Sequence, residues 1–256
     1  MRNPRSILIT GASSGIGAAL ARDFAAPGIT LYLGGRDLGR LDATARECKA
    51  RGADARTTII DVVDAPACAR WVAACDGVAP LDLVVANAGI SAGTGGKAWA
   101  DEVPDLVRRI FAVNVDGTIN TVLPAVAAMR PRKRGQVAIV SSLASFIGAP
   151  GSGAYAASKA AQRIWGESLR AELHADGLEV SVICPGFVHT PMTAGNDFPM
   201  PFVMSAERAA RIIRRGLAAN RGRIAFPWAM YFLVWLSAAL PPGLTGRATR
   251  RFPRKD

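Results

Sequence analysis

The sequence has few of the side chains that build metal sites and disulfide frameworks. Its 256 residues include two histidines and four cysteines, Cys48, Cys68, Cys75 and Cys184. No two cysteines form a C-x-x-C pair, and the histidines lie far from most of them along the chain. Zinc sites and disulfide scaffolds use closely spaced ligands of these types. We therefore expect no metal and four reduced thiols, as is usual in the cytoplasm.

Long apolar segments are absent from the start of the chain. The apolar run after Arg5 stops at Gly11, which is too short for the core of a signal peptide. Apolar residues make up 50% of the sequence and charged residues 20%, a composition that excludes a disordered chain and a collagen-like repeat. The length is enough for one α/β domain with a full hydrophobic core. We expect a cytoplasmic globular protein.

Acidic residues are scarce, with 20 Asp and Glu against 31 Lys and Arg, for a net charge of +11. The excess is concentrated at the C-terminal end. Residues 205–256 hold 11 of the basic residues and only two acids, Glu207 and Asp256. Nucleic-acid-binding proteins more often spread basic residues over the fold and carry a recognisable reading motif. We find no such motif and predict no nucleic-acid partner.

Seven short apolar runs alternate with helix-sized segments. The predicted strands are 6–10, 30–33, 56–60, 81–86, 136–141, 179–183 and 223–226. The predicted helices are 16–26, 37–50, 65–75, 102–129, 153–175 and 205–219. Short apolar strands separated by helices are typical of a parallel sheet covered on both faces. This predicts one doubly wound α/β domain to about residue 226, with its ligand crevice at the carboxyl ends of the strands.

A glycine-rich turn follows the first predicted strand, with the sequence T-G-A-S-S-G-I-G at 10–17. Gly11 permits the tight turn, Gly15 lets a pyrophosphate approach the backbone, and Gly17 allows close packing of helix on strand. The N–H groups at the helix N-terminus favour phosphate. The spacing G-x-x-x-G-x-G differs from the standard G-x-G-x-x-G, but the strand–turn–helix context indicates a dinucleotide site.

The second predicted strand is followed by Gly35, Arg36 and Asp37. In folds that select NAD(H), a carboxylate near this point holds the ribose 2′-hydroxyl. Arg36 instead offers a guanidinium that pairs with a 2′-phosphate, while Asp37 stands where it suits the cap of the next helix. The pattern predicts NADP(H) in preference to NAD(H). The alternative is that Arg36 is a solvated loop charge.

Tyr155 and Lys159 stand four residues apart at the start of a predicted helix, which puts them on one face. A phenol is a poor acid or base at neutral pH, and a nearby ammonium lowers its pKa. Such a pair suits proton transfer to or from a carbonyl oxygen. Ser142 ends the fifth predicted strand, where its hydroxyl can hold the same oxygen.

These motifs together resemble the short-chain dehydrogenase/reductase family, and the resemblance spans residues 6–190. It implies a single-domain Rossmann fold and hydride transfer between a nicotinamide cofactor and a carbonyl or alcohol. Ala86 is a departure, because the family often has another Asn there. The matching positions are 10–17, Asp61, Asn87, Ala88, Gly89, Asn114, Ser142, Tyr155, Lys159, Pro185, Gly186 and Thr190.

The resemblance also implies roles. Tyr155 would be the general acid in reduction, Lys159 would lower its pKa and bond the nicotinamide ribose, and Ser142 would orient the carbonyl. Asn114 would hold a water that links Lys159 to solvent. The implied cofactor-binding residues are Gly11, Ser13, Ser14, Gly15, Ile16, Gly17, Arg36, Asp61, Asn87, Ala88, Gly89, Tyr155, Lys159, Pro185, Gly186, Val188 and Thr190.

Residues 191–204 correspond to the segment that forms a substrate lid in this family. The segment is rich in Met and Phe, which adapt to irregular apolar shapes. We predict an apolar substrate, contacted by Met192 and Phe198 together with Ser142 and Tyr155. The alternative is that the lid side chains only pack on the core.

Residues 227–256 form an apolar helix candidate and a basic tail. The 13 residues 228–240 would reach about 20 Å, short of a bilayer core of about 30 Å, so a spanning helix is not expected. Four aromatic residues share a helical stripe, Trp228, Tyr231, Phe232 and Trp235. Arginines flank the segment. Two interpretations stay open: a peripheral membrane contact through 228–256, or burial against the protein's own cleft wall or a partner subunit.

The sequence thus predicts an NADP(H)-dependent oxidoreductase that acts on a lipid-, steroid- or aromatic-ketone-like substrate. Residues 1–226 would form the dinucleotide-binding and catalytic domain. The alternative function is a non-catalytic NADP(H)-binding regulatory module. The resemblance implies a homodimer or homotetramer, and the expected location is the cytoplasm, with or without contact to the cytoplasmic membrane surface.

Overall fold

A computed structural model describes residues 3–91, 104–148, 151–196 and 198–241. The central sheet contains seven strands: β1 (Ser6–Thr10), β2 (Thr30–Gly35), β3 (Asp54–Ile59), β4 (Leu83–Ala86), β5 (Gly135–Val140), β6 (Leu178–Pro185) and β9 (Arg223–Phe226). They are all parallel, in the order β3-β2-β1-β4-β5-β6-β9. The order reverses between β1 and β4, which places the ligand crevice at their carboxyl ends.

The helices are α1 (Gly15–Phe24), α2 (Leu38–Ala50), α3 (Ala65–Val78), α4 (Pro104–Phe111), α5 (Gly117–Met129), α6 (Gly153–Glu172), α7 (Ala206–Ala218) and α8 (Trp228–Ala238). Several begin at capping residues. Asp37 accepts from the Arg40 N–H at 3.0 Å and Asp64 from the Ala67 N–H at 2.9 Å. The predicted α/β fold with a seven-stranded parallel sheet is confirmed, and Asp37 caps the helix as expected.

Alternate residues of each strand enter opposite apolar layers. On one face, Ile7 and Ile9 belong to a buried cluster that includes residues of α1, α2 and α7. On the other face, Leu8 belongs to a cluster with residues of α3, α5 and α6. Both faces of the sheet are therefore covered, which is why the strands read as continuous apolar runs.

The predicted helix 102–129 differs in detail. Residues 102–103 lie outside the described residues, and the rest divides into α4, a π-helical segment Ala112–Asp116, and α5. A π segment inserts one residue into the helical turn and often marks a functional position. Pro104–Arg132 is also long and apolar enough to cross a membrane by length and composition, but half of its most apolar window is buried within the protein. Its apolar side chains serve the core.

Two short strands were not predicted. β7 (Val188–His189) pairs in parallel with β8 (Met204–Ser205), and the pair brackets most of the 191–204 segment. Residue 197 of that segment and residues 242–256 of the basic tail lie outside the described residues.

Candidate active site

A cleft of about 330 Å³ runs along the carboxyl ends of the central strands. It is lined by every predicted cofactor residue except Gly17, and by the predicted catalytic residues Ser142, Tyr155 and Lys159. Of the predicted substrate residues, Met192 lines the cleft, whereas Phe198 does not. Asn114 lies behind the cleft wall, fully buried. The fold thus gathers in one place residues that are up to 182 positions apart, from Gly11 to Thr193.

The glycine turn leaves no room for larger side chains. Gly11 and Gly15 have positive φ angles of 65° and 54°, which other residues rarely adopt. A Cβ on Gly17 would lie 2.3 Å from the Gly11 carbonyl oxygen. Gly17 therefore acts through helix–strand packing and not by lining the cleft. The exposed backbone at the start of α1 fits a phosphate group.

Asn87 ties the glycine turn to the end of β4. Its side-chain amide donates to the carbonyl oxygens of Thr10 at 2.9 Å and Gly11 at 3.2 Å. The Thr10 hydroxyl in turn accepts from the backbone N–H groups of Asn87 at 3.0 Å and Ala88 at 3.1 Å. Both amide hydrogens of Asn87 are thus used within the protein, so its main effect is to fix the shape of the turn.

The end of β2 carries positive charge into the cleft. Arg36 is exposed there and has no ion-pair or hydrogen-bond partner among the described residues. Asp37 is engaged, because its carboxylate accepts from the Arg40 Nε at 2.6 Å as well as from the backbone of α2. These hydrogen bonds lower the pKa of Asp37. Asp61, on the next strand end, accepts from the Val63 N–H at 3.1 Å.

Ser142 and Tyr155 meet through a side-chain hydrogen bond. The Ser142 hydroxyl is fixed by the Ala144 N–H, which donates to it at 3.1 Å, and it faces the Pro185 carbonyl at 3.4 Å. Burial raises the pKa of Tyr155, and the hydrogen bond with Ser142 offsets part of that shift. The phenol is therefore protonated at neutral pH in the chain alone.

Lys159 is buried at the cleft floor. Its Nζ donates to the Val140 carbonyl at 2.9 Å and lies 5.7 Å from the centre of the Tyr155 ring. Burial lowers the pKa of Lys159 to about 7. In the cofactor-free chain, burial therefore outweighs the other influences on the Tyr155 pKa, and the lowering expected from Lys159 stays a prediction.

Asn114 lies in the π-helical segment, and its side chain forms hydrogen bonds with neighbouring groups of the protein. Its Oδ1 accepts from the Ile90 N–H at 2.8 Å, and its Nδ2 donates to the Ile90 carbonyl at 3.0 Å and the Ser158 hydroxyl at 2.9 Å. Gly89 packs against this group and against the Lys159 Nζ. The Asn114 side chain thus positions the loop after β4 beside Lys159. Its predicted hold on a water remains a prediction.

The far wall of the cleft comes from the segment after β6. Thr190 approaches the glycine turn, since a Cβ on Gly15 would lie 3.1 Å from the Thr190 methyl group. Gly186 is held by its N–H, which donates to the Phe226 carbonyl at 2.7 Å. Phe198 packs edge-on against Phe187, with ring centres 6.0 Å apart, rather than on the cleft.

Two buried hydroxyl groups at the site were not predicted from the sequence. The Ser158 hydroxyl donates to the Tyr155 carbonyl at 2.7 Å and accepts from Asn114. The Ser141 hydroxyl donates to the Lys159 carbonyl at 2.7 Å. Both serines adjoin motif residues in sequence, but spacing alone does not distinguish a buried, bonded hydroxyl from a solvated one. Among the described residues, no group of three or more His, Cys, Asp or Glu side chains is arranged to hold a metal.

Curated proteins similar to this chain are oxidoreductases. An "Uncharacterized oxidoreductase" of Myxococcus xanthus is 40% identical over 249 residues, which cover 96% of this chain and 97% of the relative. A "1-deoxy-11-beta-hydroxypentalenate dehydrogenase" of Streptomyces exfoliatus is 35% identical over 224 residues, which cover 85% of this chain and 81% of the relative.

Solved structures share the fold. A short-chain dehydrogenase from Sphingobium yanoikuyae in complex with NADPH matches with a TM-score of 0.79 at 24% identity, covering 96% of each chain. A short-chain dehydrogenase from Mycobacterium paratuberculosis bound to NAD matches with a TM-score of 0.77 at 25% identity, covering 88% of this chain and 96% of that one. The family described as short chain dehydrogenase matches residues 5–198. The chain therefore belongs to the short-chain dehydrogenase/reductase family, whose members are NAD(P)-dependent oxidoreductases acting on CH–OH and C=O groups.

Proposed function

We propose that this chain interconverts a carbonyl group and a secondary alcohol on an apolar substrate, with NADP(H) as the preferred cofactor. One observation carries the proposal: Ser142, Tyr155 and Lys159 converge in the same cleft as the glycine turn. The small side chains of the turn fit a dinucleotide phosphate, and the catalytic trio stands at the other end of the cleft.

The protein supplies a proton and orients the carbonyl group of the substrate. When bound, the cofactor supplies or accepts a hydride at its nicotinamide. The Tyr155 hydroxyl donates its proton to the carbonyl oxygen in reduction and accepts it back in oxidation. Ser142, bonded to the same phenol, holds the oxygen in line. The raised pKa of Tyr155 supports the reduction direction, which needs the protonated phenol.

Lys159 contributes from below the phenol. Its Nζ is held by the Val140 carbonyl at 2.9 Å, near enough to the Tyr155 ring to stabilise developing negative charge. We propose that it also bonds the nicotinamide ribose. Asn114 and Ser158 keep this arrangement fixed through their mutual hydrogen bond.

The preference for NADP(H) is supported by charge at the end of β2. Arg36 reaches the cleft with no competing carboxylate partner among the described residues, and Asp37 is consumed by the α2 cap and by Arg40. A free guanidinium and the lack of an available carboxylate both favour a 2′-phosphate over a 2′-hydroxyl.

The apolar substrate is supported by the wall of the cleft near Tyr155. Met192 lines the cleft and is 39% exposed, and a flexible thioether adapts to irregular apolar surfaces. Phe198 acts indirectly in this proposal, because it packs on Phe187 behind the 191–204 segment.

We further propose a homodimeric or homotetrameric assembly, a cytoplasmic location and no nucleic-acid partner. The regulatory-module alternative lacks a supporting observation, since family membership and the complete catalytic trio both favour an enzyme.

The test is Tyr155→Phe, assayed by NADPH oxidation with ketones that range from small and polar to lipid-sized. We expect turnover of the apolar ketones to fall at least about 100-fold, since general acid catalysis contributes 10²–10⁴-fold. NADPH affinity should change less than about threefold.

Tyr32→Phe is the matched control, because the buried Tyr32 hydroxyl has no hydrogen-bond partner among the residues that the structure describes. It should retain full turnover. Substantial activity in Tyr155→Phe would refute the assigned acid. NADPH binding by the unmodified chain without turnover of any ketone would favour the regulatory module.

A further inference from the structure

Helix α8 presents two apolar faces, and the described part of the chain covers one of them. The inner face packs through Met230, Tyr231 and Val234 on a small buried cluster that contains Leu143 and Val182. The Tyr231 ring also meets the Phe146 ring edge-on at 5.5 Å. This face fixes α8 to the body of the protein, beside the cleft residue Gly186, where a Cβ would lie 3.1 Å from the Met230 sulfur.

The outer face of α8 and the turn after it is apolar and exposed. Trp228 is 78% exposed, and five further residues are 46–59% exposed: Phe232, Leu233, Trp235, Leu236 and Leu240. The sequence has no charged residue from 224 to 246. A contiguous exposed apolar patch of this kind marks an interaction surface. Tryptophans on such a face are typical of helices that lie in a membrane interface.

A second cavity of about 340 Å³ lies beside this helix, between α7, β9 and α8. Its polar lining is basic, since Arg215, Arg221 and Arg223 all contribute to it, together with Tyr231. Arg223 is partly neutralised, because its Nε donates to Glu167 at 2.8 Å and its Nη1 to the Tyr231 hydroxyl at 2.9 Å.

The other two arginines of the cavity are free to meet a ligand. Neither Arg215 nor Arg221 has an ion-pair or side-chain hydrogen-bond partner among residues 3–91, 104–148, 151–196 and 198–241. Both are exposed at the surface. The cavity therefore carries excess positive charge suited to an anionic group such as a phosphate.

The basic cavity and the apolar face adjoin each other. Tyr231 lines the cavity and stands three residues after Trp228 and four before Trp235. Residues at these spacings are neighbours on a helix surface. Tyr231 therefore connects the basic cavity to the outer face along the same helix.

We propose that this surface, the outer face of α8 with Arg215 and Arg221, binds an anionic phospholipid membrane. Headgroup phosphates pair with the two arginines, and Trp228, Phe232 and Trp235 enter the interfacial layer. A second copy of the chain fits less well, because a two-fold contact through this face buries the two unpaired arginines against a surface whose residues 208–241 contain no Asp or Glu to pair with them. The proposal is independent of the cofactor and of the reaction.

The experiment is flotation of the full chain with two kinds of vesicle, phosphatidylcholine alone and phosphatidylcholine with about 30 mol% phosphatidylglycerol. We expect partitioning onto the anionic vesicles only. Because each basic residue near such a surface adds roughly fivefold in partitioning, Arg215→Gln/Arg221→Gln should lower binding by about 25-fold. Trp228→Ser/Trp235→Ser should also reduce it at least about tenfold.

The matched control is Arg46→Gln/Arg70→Gln. It removes the same charge from two exposed arginines of α2 and α3 that have no ion-pair partner within the described part of the chain, near the opposite edge of the sheet from β9. This variant should bind as the unmodified chain does. If the two double arginine variants lose vesicle binding equally, binding depends only on the net charge of the protein, and the proposal is overturned.

Two other results would also overturn it. The first is a shift from dimer to monomer in Trp228→Ser/Trp235→Ser with no vesicle binding by the unmodified chain, which assigns the face to a second copy. The second is thermal stabilisation by inorganic phosphate that requires Arg215 and Arg221 without any vesicle binding, which assigns the cavity to free phosphate.

Discussion

Residues around the cleft differ in how much of their hydrogen-bonding capacity the protein already uses. The side chains of Asn87 and Asn114 are committed to backbone groups of neighbouring loops. Arg36 has no partner among the described residues. Committed side chains hold the shape of a site, and uncommitted charged ones are those that a ligand can recruit. The first prediction therefore concerns Arg36.

Arg36→Ala should reduce the preference for NADPH over NADH. A hydrogen bond to a charged group is worth about 1.5–3 kcal/mol, so the ratio of kcat/KM for the two cofactors should fall by about tenfold or more. The kcat/KM for NADH should change little. Steady-state kinetics with both cofactors measures this, with Arg46→Ala on α2 as the control. An equal loss for both cofactors would show that Arg36 is a solvated loop charge.

Lys159 gives a prediction about stability and pH. Its folded pKa of about 7 lies below its ordinary value of about 10.4, so between these values the unfolded chain binds a proton that the folded chain does not. The free energy of unfolding of the cofactor-free protein should therefore rise from pH 7 to pH 10, by up to about 1.4 kcal/mol per pH unit, relative to Lys159→Met.

Denaturant unfolding of the two proteins at several pH values is the measurement. Cys184 and Tyr155 are common to both proteins, so the effect of burial on their pKa values cancels in the difference, and what remains is Lys159 with its Coulombic coupling to Cys184. A difference that stays flat with pH would mean that Lys159 keeps an ordinary pKa in the folded chain.

At the scale of elements, the π-helical turn before α5 directs the Asn114 side chain toward Ile90, in the loop after β4. The sequence pattern predicts a helix over 102–129, because the apolar spacing continues through the turn. The sequence pattern does not predict the extra residue in this turn, because the turn is stabilised by a residue outside the helix. Asn114 forms hydrogen bonds with both backbone groups of Ile90.

Asn114→Ala should therefore destabilise the fold. It leaves the part-buried Ile90 N–H and Ile90 carbonyl without this partner, and it removes one of the two hydrogen bonds of the buried Ser158 hydroxyl. Each such group costs about 1–3 kcal/mol, and we expect a loss of about 2–4 kcal/mol in the free energy of unfolding.

Asn120→Ala is the comparison, since Asn120 donates to the Val62 carbonyl from a half-buried position on the same helix. Water can replace that bond, so the cost should be below about 1 kcal/mol. Similar losses in the two variants, measured by denaturant unfolding, would contradict a special role for the π turn.

At the scale of the whole molecule, the strand order and the charge distribution organise function. The reversal between β1 and β4 gathers the glycine turn and the catalytic trio at one edge of the sheet. Among the described residues, the basic side chains after residue 205 belong to α7, to the segment that leads into β9 and to β9 itself, the strand at the far edge of the sheet. Arg215 and Arg221 of this group contribute to the α8 surface and not to the catalytic cleft.

Strand and helix positions follow closely from sequence, because short apolar runs between helical segments leave few alternatives. Predicted strands 6–10 and 223–226 match β1 and β9 at both ends. The β7–β8 pair escapes prediction, since two-residue strands have no periodicity to detect. The 228–240 segment illustrates the intermediate case. Its helix is evident from sequence, but its covered face depends on contacts with Leu143 and Phe146.

The sequence by itself determined the doubly wound fold, the family and the residues that converge on the cleft. These follow from local periodicity and from motifs whose chemistry requires particular side chains. Only the tertiary structure decided which of those side chains are free for ligands and which, like Asn87 and Asn114, are held by neighbours. It also decided how burial shifts two pKa values, upward for Tyr155 and downward for Lys159. Burial and hydrogen-bond partners come from residues distant in the chain, and local sequence does not encode them.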